Sequence, residues 1–167
     1  KVYGWGSNAN FALNSGTSNV TKPVELPAFA NSVLMGGGDS LYGVSPTGVV
    51  TMTGLGTSGQ LGSGANTGST AGSQFFAVTK QGGGQLQDII GVSAAVLGEH
   101  TALIDGNGDI WMTGKNDNGQ LGLQVMQQSV NQASRLSDSV VVDVAGEMFL
   151  IRKEKTRDVS EILSAYE

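Results

Sequence analysis

Nucleophilic catalysis needs a serine, cysteine or lysine beside a base that a third group orients. This chain has one histidine, His100, and no cysteine. The usual dyads and triads therefore have little material, and a thiolate metal site has none. Asp105-Gly-Asn-Gly-Asp109 sets acid and amide oxygens at alternate positions, as the start of a calcium loop does. It then departs, because Ile110 stands where such a loop needs glycine and Asn116 where it needs a bidentate glutamate. A plain hairpin turn is the better reading. Gly36-Gly-Gly38 and Gly82-Gly-Gly84 could cradle a phosphate, yet neither opens a helix or brings a lysine at P-loop spacing. Gly54, Gly56 and Gly59 match the glycines of a dinucleotide fingerprint without its βαβ setting. No catalytic, metal or cofactor set emerges, and the chain reads as a non-enzyme.

These residues lie in a segment that occurs nearly twice. Gly48-Val-Val-Thr-Met-Thr-Gly-Leu-Gly-Thr-Ser-Gly-Gln-Leu-Gly62 aligns with Gly108-Asp-Ile-Trp-Met-Thr-Gly-Lys-Asn-Asp-Asn-Gly-Gln-Leu-Gly122, sixty residues on, with eight of fifteen positions identical. A fainter third copy runs from Val2 through Trp5 and Asn8 to Leu13. Repeat origins fall near Lys1, Val49 and Asp109. Periods of this size mean solenoids or propellers, in which each repeat is one supersecondary unit. The longer second spacing places an insertion at Ser63–Gln85, read as a surface loop carrying one short strand around Phe75-Phe76-Ala77-Val78. Ser45-Pro-Thr-Gly48 and Asp105-Gly-Asn-Gly108 carry hairpin chemistry. Short strands with turn signals every ten residues or so predict an all-β propeller or sandwich.

Composition agrees. The chain has 167 residues, 26 of them glycine and only three proline, which suits short strands joined by tight turns. Charged residues make up 14% of it and the net charge is −5, with no basic cluster to neutralise phosphates. Nucleic acid is therefore excluded as a partner. No apolar run approaches the roughly 20 residues a membrane helix needs, so no membrane is expected, and no signal peptide is seen. The chain opens inside a repeat with Lys1 rather than Met, which reads as a processed chain or part of a longer polypeptide.

The residues from Gly98-Glu-His-Thr-Ala-Leu-Ile through Trp111 to Gly119-Gln-Leu-Gly122 resemble the repeat of the regulator-of-chromosome-condensation family of β-propellers. Tyr3-Gly-Trp-Gly-Ser-Asn8 keeps that family's Trp-Gly-x-Asn element, and Pro23-Val24 its proline position. The resemblance covers about residues 1 to 150. Departures from the family pattern are also present: its histidine slot holds Ser40, His100 and Met148, and its tryptophan slot Trp5, Thr53 and Thr113. The resemblance implies a structural role for His100 and blades of about fifty residues, usually seven to a ring. About three are present here. Unpaired strand edges in such an array invite association; completion by the rest of a longer polypeptide is favoured over completion by neighbouring chains.

The expected domains are propeller repeats over 1–151 and a charged tail over 152–167. That tail holds eight of the 23 charged residues. Asp158 and Glu161 form a capping box, and Val159, Ile162, Leu163 and Tyr166 fall on one helical face. The fold class is thus an all-β partial propeller with a short C-terminal amphipathic helix. Candidate partner contacts are Phe75 and Phe76, two adjacent aromatics that cannot share one side of a strand, of which one packs inward and the other stays free. Asp117 and Asn118 join them on a turn, as do Ile162, Leu163 and Tyr166 on the helix. The function expected is a protein-interaction scaffold within a larger assembly such as a phage virion, a reading that also draws on the ending Ala165-Tyr-Glu167. The alternatives are a regulatory propeller acting in guanine-nucleotide exchange and a glycan- or surface-binding module using Trp5, Trp111 or the Phe75 loop.

Overall fold

A computed structural model describes residues 1–13, 16, 18–69, 74–94, 99–123, 127–136, 141–142 and 150–151, with Leu34, Met35 and the last two pairs described by backbone alone. The described chain is all-β. Its strands are β1 (Tyr3–Gly6), β2 (Val20–Glu25), β3 (Leu34–Gly37), β4 (Ser40–Val44), β5 (Val50–Gly54), β6 (Phe76–Ala77), β7 (Ile89–Ala94), β8 (His100–Asp105), β9 (Ile110–Lys115), β10 (Ser129–Arg135), β11 (Val141–Val142) and β12 (Leu150–Ile151). Two antiparallel meanders, β3-β4-β5-β6 and β7-β8-β9-β10, form four-stranded sheets. Two-stranded sheets, β1-β2 and β11-β12, precede and follow them along the chain. This is a partial β-propeller with two complete blades, here the first and second, and a two-stranded sheet before and after them in sequence. The proposed tail helix, with Ile162, Leu163 and Tyr166, lies outside the described residues, and so does Met148.

The predicted hairpins join the second and third strands of each blade. Gly48 donates to the Ser45 carbonyl at 2.9 Å, with its φ at +72°, which only glycine adopts without strain. In the second blade Asp105 does more of the work. One carboxylate oxygen accepts the N–H groups of Asn107 and Asp109, both at 2.9 Å, and the other accepts the Trp111 indole at 3.0 Å. The calcium-like spacing is therefore an Asx turn whose acid is already satisfied by the backbone.

Packing occurs between blades rather than within them. The strand period of two sends Tyr42 and Val44 of β4, with Val50 and Met52 of β5, to one side of the first blade. There they meet Leu103 of β8, together with Leu61, Val78 and Leu86. Val44, Val50, Met52, Leu61, Val78 and Leu103 are all within 2% of complete burial, each worth about 1.5–3 kcal/mol against exposure. The other side of the first blade, with Leu41, packs on Leu13, Val20, Leu26 and Phe29 beside β1-β2. Tyr42 crosses the blade boundary, its hydroxyl donating to the Val92 carbonyl at 2.9 Å. Burial pushes its phenol above the usual value. The inserted segment stays partly regular: Thr79 bridges to Gln85 around the Gly82–Gly84 turn, and Lys80 bridges in parallel to Ala133 of β10.

The repeated glycine motif forms the same turn three times. Gly59 and Gly119 have φ of +81° and +73°, and each donates to the carbonyl three residues back, Gly56 at 2.9 Å and Asn116 at 3.1 Å. The faint first copy does likewise, with Phe11 at φ +55° donating to Asn8 at 3.1 Å. Asn8 and Asn116, both buried, accept the backbone N–H of Leu13 and Leu121 on their side-chain oxygens at 2.9 and 3.1 Å. A buried amide that organises a loop in this way must be satisfied, which explains the Asn at both positions.

Candidate interaction surface

In a four-stranded meander the hairpin between strands two and three lies at one end of the blade. The other two connections lie at the opposite end. The structure thus has a hairpin end, with Ser45–Gly48 and Asp105–Gly108, and a turn end, with the three glycine turns.

At the hairpin end a groove of about 590 Å³ runs between the two complete blades. Ser45, Thr47 and Gly48 line one side, Asn107 the other, and Val33, Asp88 and Ile90 close it. Backbone bonds hold it in shape, Ile89 donating to Gly48 at 3.0 Å and Gly106 to the Asp88 carbonyl at 2.8 Å. Asp88 has a φ of +59°, a conformation that Asp tolerates better than most residues. Val33 and Ile90 are 70% and 68% exposed. Two bare aliphatics in one preformed concavity with polar rims have the composition of a binding groove.

The turn end carries an ionic network. Lys115 Nζ lies 3.2 Å from Glu99 and 3.7 Å from Asp117. Ser58, from the preceding blade, donates to Glu99 at 3.3 Å. Gln120 donates to Asp117 at 2.9 Å, and its oxygen accepts the Asn118 N–H at 2.9 Å. That amide, followed by the Lys115 charge, holds the Asp117 carboxyl below its usual range. Hydrogen bonding to Glu99, with the Asp117 and Glu99 charges, raises the Lys115 ammonium. Asp117 and Asn118 are exposed, and their side chains bond one another and Gln120.

Phe75 and Phe76 do point to opposite sides, and both are half-buried. Phe75 stands edge-on to Phe29 with ring centroids 5.4 Å apart, against the core beside β1-β2. Phe76 packs on the core between the complete blades. Each ring thus packs on a different core, rather than one packing inward and the other standing free. His100 is 2% exposed and pairs with Gly114 between β8 and β9, within the sheet. The structure does not bring the four described candidates together, since the Phe pair and the Asp117-Asn118 turn belong to different blades.

Sequence reasoning missed the groove. Val33 and Ile90 look like ordinary strand residues, and no periodicity marks them as exposed. It also missed what the threonines in the tryptophan slot do. Thr113, in that slot and completely buried, has its hydroxyl 2.8 Å from both the Gly59 carbonyl of the preceding blade's turn and the Val130 carbonyl, so the two share its single proton; outside the slot, Thr101 donates to the Gln60 carbonyl at 2.9 Å. The available signal was the pairing of a small hydroxyl residue with a glycine turn 54 residues earlier.

No protein-family model and no curated protein sequence matches the chain. Solved structures do match. Human WBSCR16 superposes with a TM-score of 0.65 at 18% identity, over 83% of this chain and 35% of that one. Prp20p from Saccharomyces cerevisiae, described with its binding to Gsp1p and histones, gives 0.60 at 15% identity over the same shares. Yeast RCC1 (Prp20) bound to Kap60 gives 0.57 at 18% identity, over 78% of this chain and 29% of that one. The chain spans about a third of the length of these proteins. It has the fold of the regulator-of-chromosome-condensation-type β-propellers.

Proposed function

We propose that this chain is a non-enzymatic propeller segment that works by binding other proteins. The observation that carries the reading is the preformed groove at the hairpin end, where Val33 and Ile90 stand exposed between satisfied turns. Exposed aliphatics in a rigid concavity favour a partner that inserts apolar side chains there. Asp117 and Asn118 present a second, polar contact at the turn end. Protein binding is also what is described for the similar Prp20p structures, with Gsp1p, histones and Kap60. That likeness favours a regulatory propeller of the exchange-factor kind over a virion component, which draws only on low charge density and the Ala165-Tyr-Glu167 ending. Stacking on sugars is less favoured, since Phe75 packs on Phe29 and Trp111 is tied to Asp105.

The test is cross-linking of the tagged chain in its native source, with mass spectrometry of the products. Partners captured by the wild type and lost from the Val33→Lys/Ile90→Lys double variant are expected. Retention by that variant, with loss from Asp117→Lys/Asn118→Lys, would move the surface to the turn end. Accelerated nucleotide release from a small GTPase would establish the exchange reading. No specific capture by any form would sink the proposal.

A further inference from the structure

We infer that the groove at the hairpin end takes an extended peptide of a partner protein in which an aliphatic side chain stands next to a lysine or arginine. The inference rests on the protein-binding reading above and names the chemistry of the partner at that same site.

The groove is built by the two four-stranded blades alone. Val33 extends the first of them by one residue, its N–H donating to the Val44 carbonyl at 2.8 Å. On the second blade the β7-β8 register shifts, with Ile89 opposite Asp105 but Gly91 opposite Ile104. Ile90 is therefore the extra residue of a bulge. It is left out of the ladder, and a bulge re-aims the side chain it carries. Asp88, two residues before it, holds a left-handed backbone at φ +59°. The Ser45–Gly48 hairpin presses directly on this distorted segment: a Cβ on Gly48 would stand 2.5 Å from the Ile89 nitrogen and 2.6 Å from the Asp88 Cα. Two departures from regular strand geometry thus fall within three residues, and both of those residues line the groove. Backbone strain of this kind clusters at ligand sites, and here it sets an exposed aliphatic beside an exposed carboxylate.

Charge selects the partner. Glu25, Glu99, Asp109 and Asp117 each pair with a lysine or arginine at 3.7 Å or less. Asp88 differs, for among the described residues its carboxylate has neither an ion pair nor a hydrogen bond. No lysine or arginine is among the described residues that line the groove, and the chain carries a net charge of −5. An acidic segment is therefore repelled there and a basic one attracted. Val33 and Ile90 offer apolar contact to an aliphatic side chain. On the opposite wall the exposed side-chain amide of Asn107, which makes no hydrogen bond among the described residues, is available to a peptide backbone. The groove's volume of about 590 Å³ lies within the usual range for ligand sites, about 300–1,000 Å³.

The test is an NMR titration of the isotope-labelled full chain with the blocked peptide Gly-Gly-Lys-Leu-Lys-Gly-Gly and its counterparts carrying Gln or Glu in place of both lysines. The lysine peptide is expected to move the amide signals of Gly48, Ile90 and Asn107. It should bind about two- to fivefold tighter than the glutamine peptide, as one exposed ion pair allows. The glutamate peptide should bind more weakly still. Asp88→Asn keeps a residue that tolerates the left-handed backbone and should make the lysine and glutamine peptides equal, whereas Ile90→Ser should weaken both. Equal binding of all three peptides, or a lysine preference that survives Asp88→Asn, overturns the basic partner while the apolar groove of the reading above stands. Binding untouched by Ile90→Ser, or no movement at the groove with any peptide, overturns the inference altogether. The cross-linking with Val33→Lys/Ile90→Lys then judges the wider reading separately.

Discussion

Gly59-Gln-Leu-Gly62 and Gly119-Gln-Leu-Gly122 are the same four residues with nearly the same backbone, yet they live in different surroundings. Both turns place glycine at positive φ, and both bury their leucine, Leu61 completely and Leu121 to within 1%. Gln60 is 2% exposed, its carbonyl held by Thr101, while Gln120 reaches the surface to bond Asp117. An added Cβ at Gly59 would come within 2.8 Å of Asn131, but at Gly119 it would meet nothing. Local sequence sets the turn; the neighbouring blade decides whether it is a clamp or a surface.

The glycines give the sharpest way to break this comparison. Gly59→Ala should cost about 3 kcal/mol, combining about 1–2 kcal/mol for a left-handed backbone with the overpacking of a close contact. Gly119→Ala should cost only the backbone share, about 1 kcal/mol. Equal losses in denaturant unfolding would mean that the two turns are equally free.

Thr113→Val probes the clamp from the other side. It keeps the shape of the side chain and removes the hydroxyl that serves the Gly59 and Val130 carbonyls, so about 1–2 kcal/mol should be lost. Hydrogen exchange should quicken at the Gly59 turn more than at Gly119. Protection that falls equally at both would place the effect in the blade as a whole.

The smallest effect concerns the surface turn alone. Asp117 is held below the ordinary carboxylate value, mainly by Gln120, so its stabilising share is present above about pH 3.9 and is lost as pH falls through the lowered value. Gln120→Ala should move the Asp117 titration, followed by NMR, upward toward the ordinary range. The first turn has Thr57 at that place and should show no such titration. An unmoved Asp117 would assign the shift to Lys115 instead.

Much of the architecture was legible because propeller blades are built from local signals. The hairpins at Ser45 and Asp105, the glycine turns and even the faint copy ending at Leu13 all appear where spacing put them. A period-2 strand also explains why Phe75 and Phe76 part company. What those rings meet was not legible, since each reaches a core assembled from a different blade. The groove was hidden for the same reason: Val33 and Ile90 are far apart in sequence and become neighbours of one concavity only when the two hairpins stand side by side. The helix proposed over the charged tail falls on residues beyond the described ones.

By itself the sequence determined the repeat, the turns and the all-β class, because backbone conformation depends on a few adjacent residues, such as glycine at positive φ or an Asx side chain over its own turn. Tertiary structure alone decided exposure. Whether Trp5 is bare while Thr113 is sealed, or Gly119 open while Gly59 is clamped, depends on which blade lies alongside, and burial is a property of neighbours rather than of the residue that is buried.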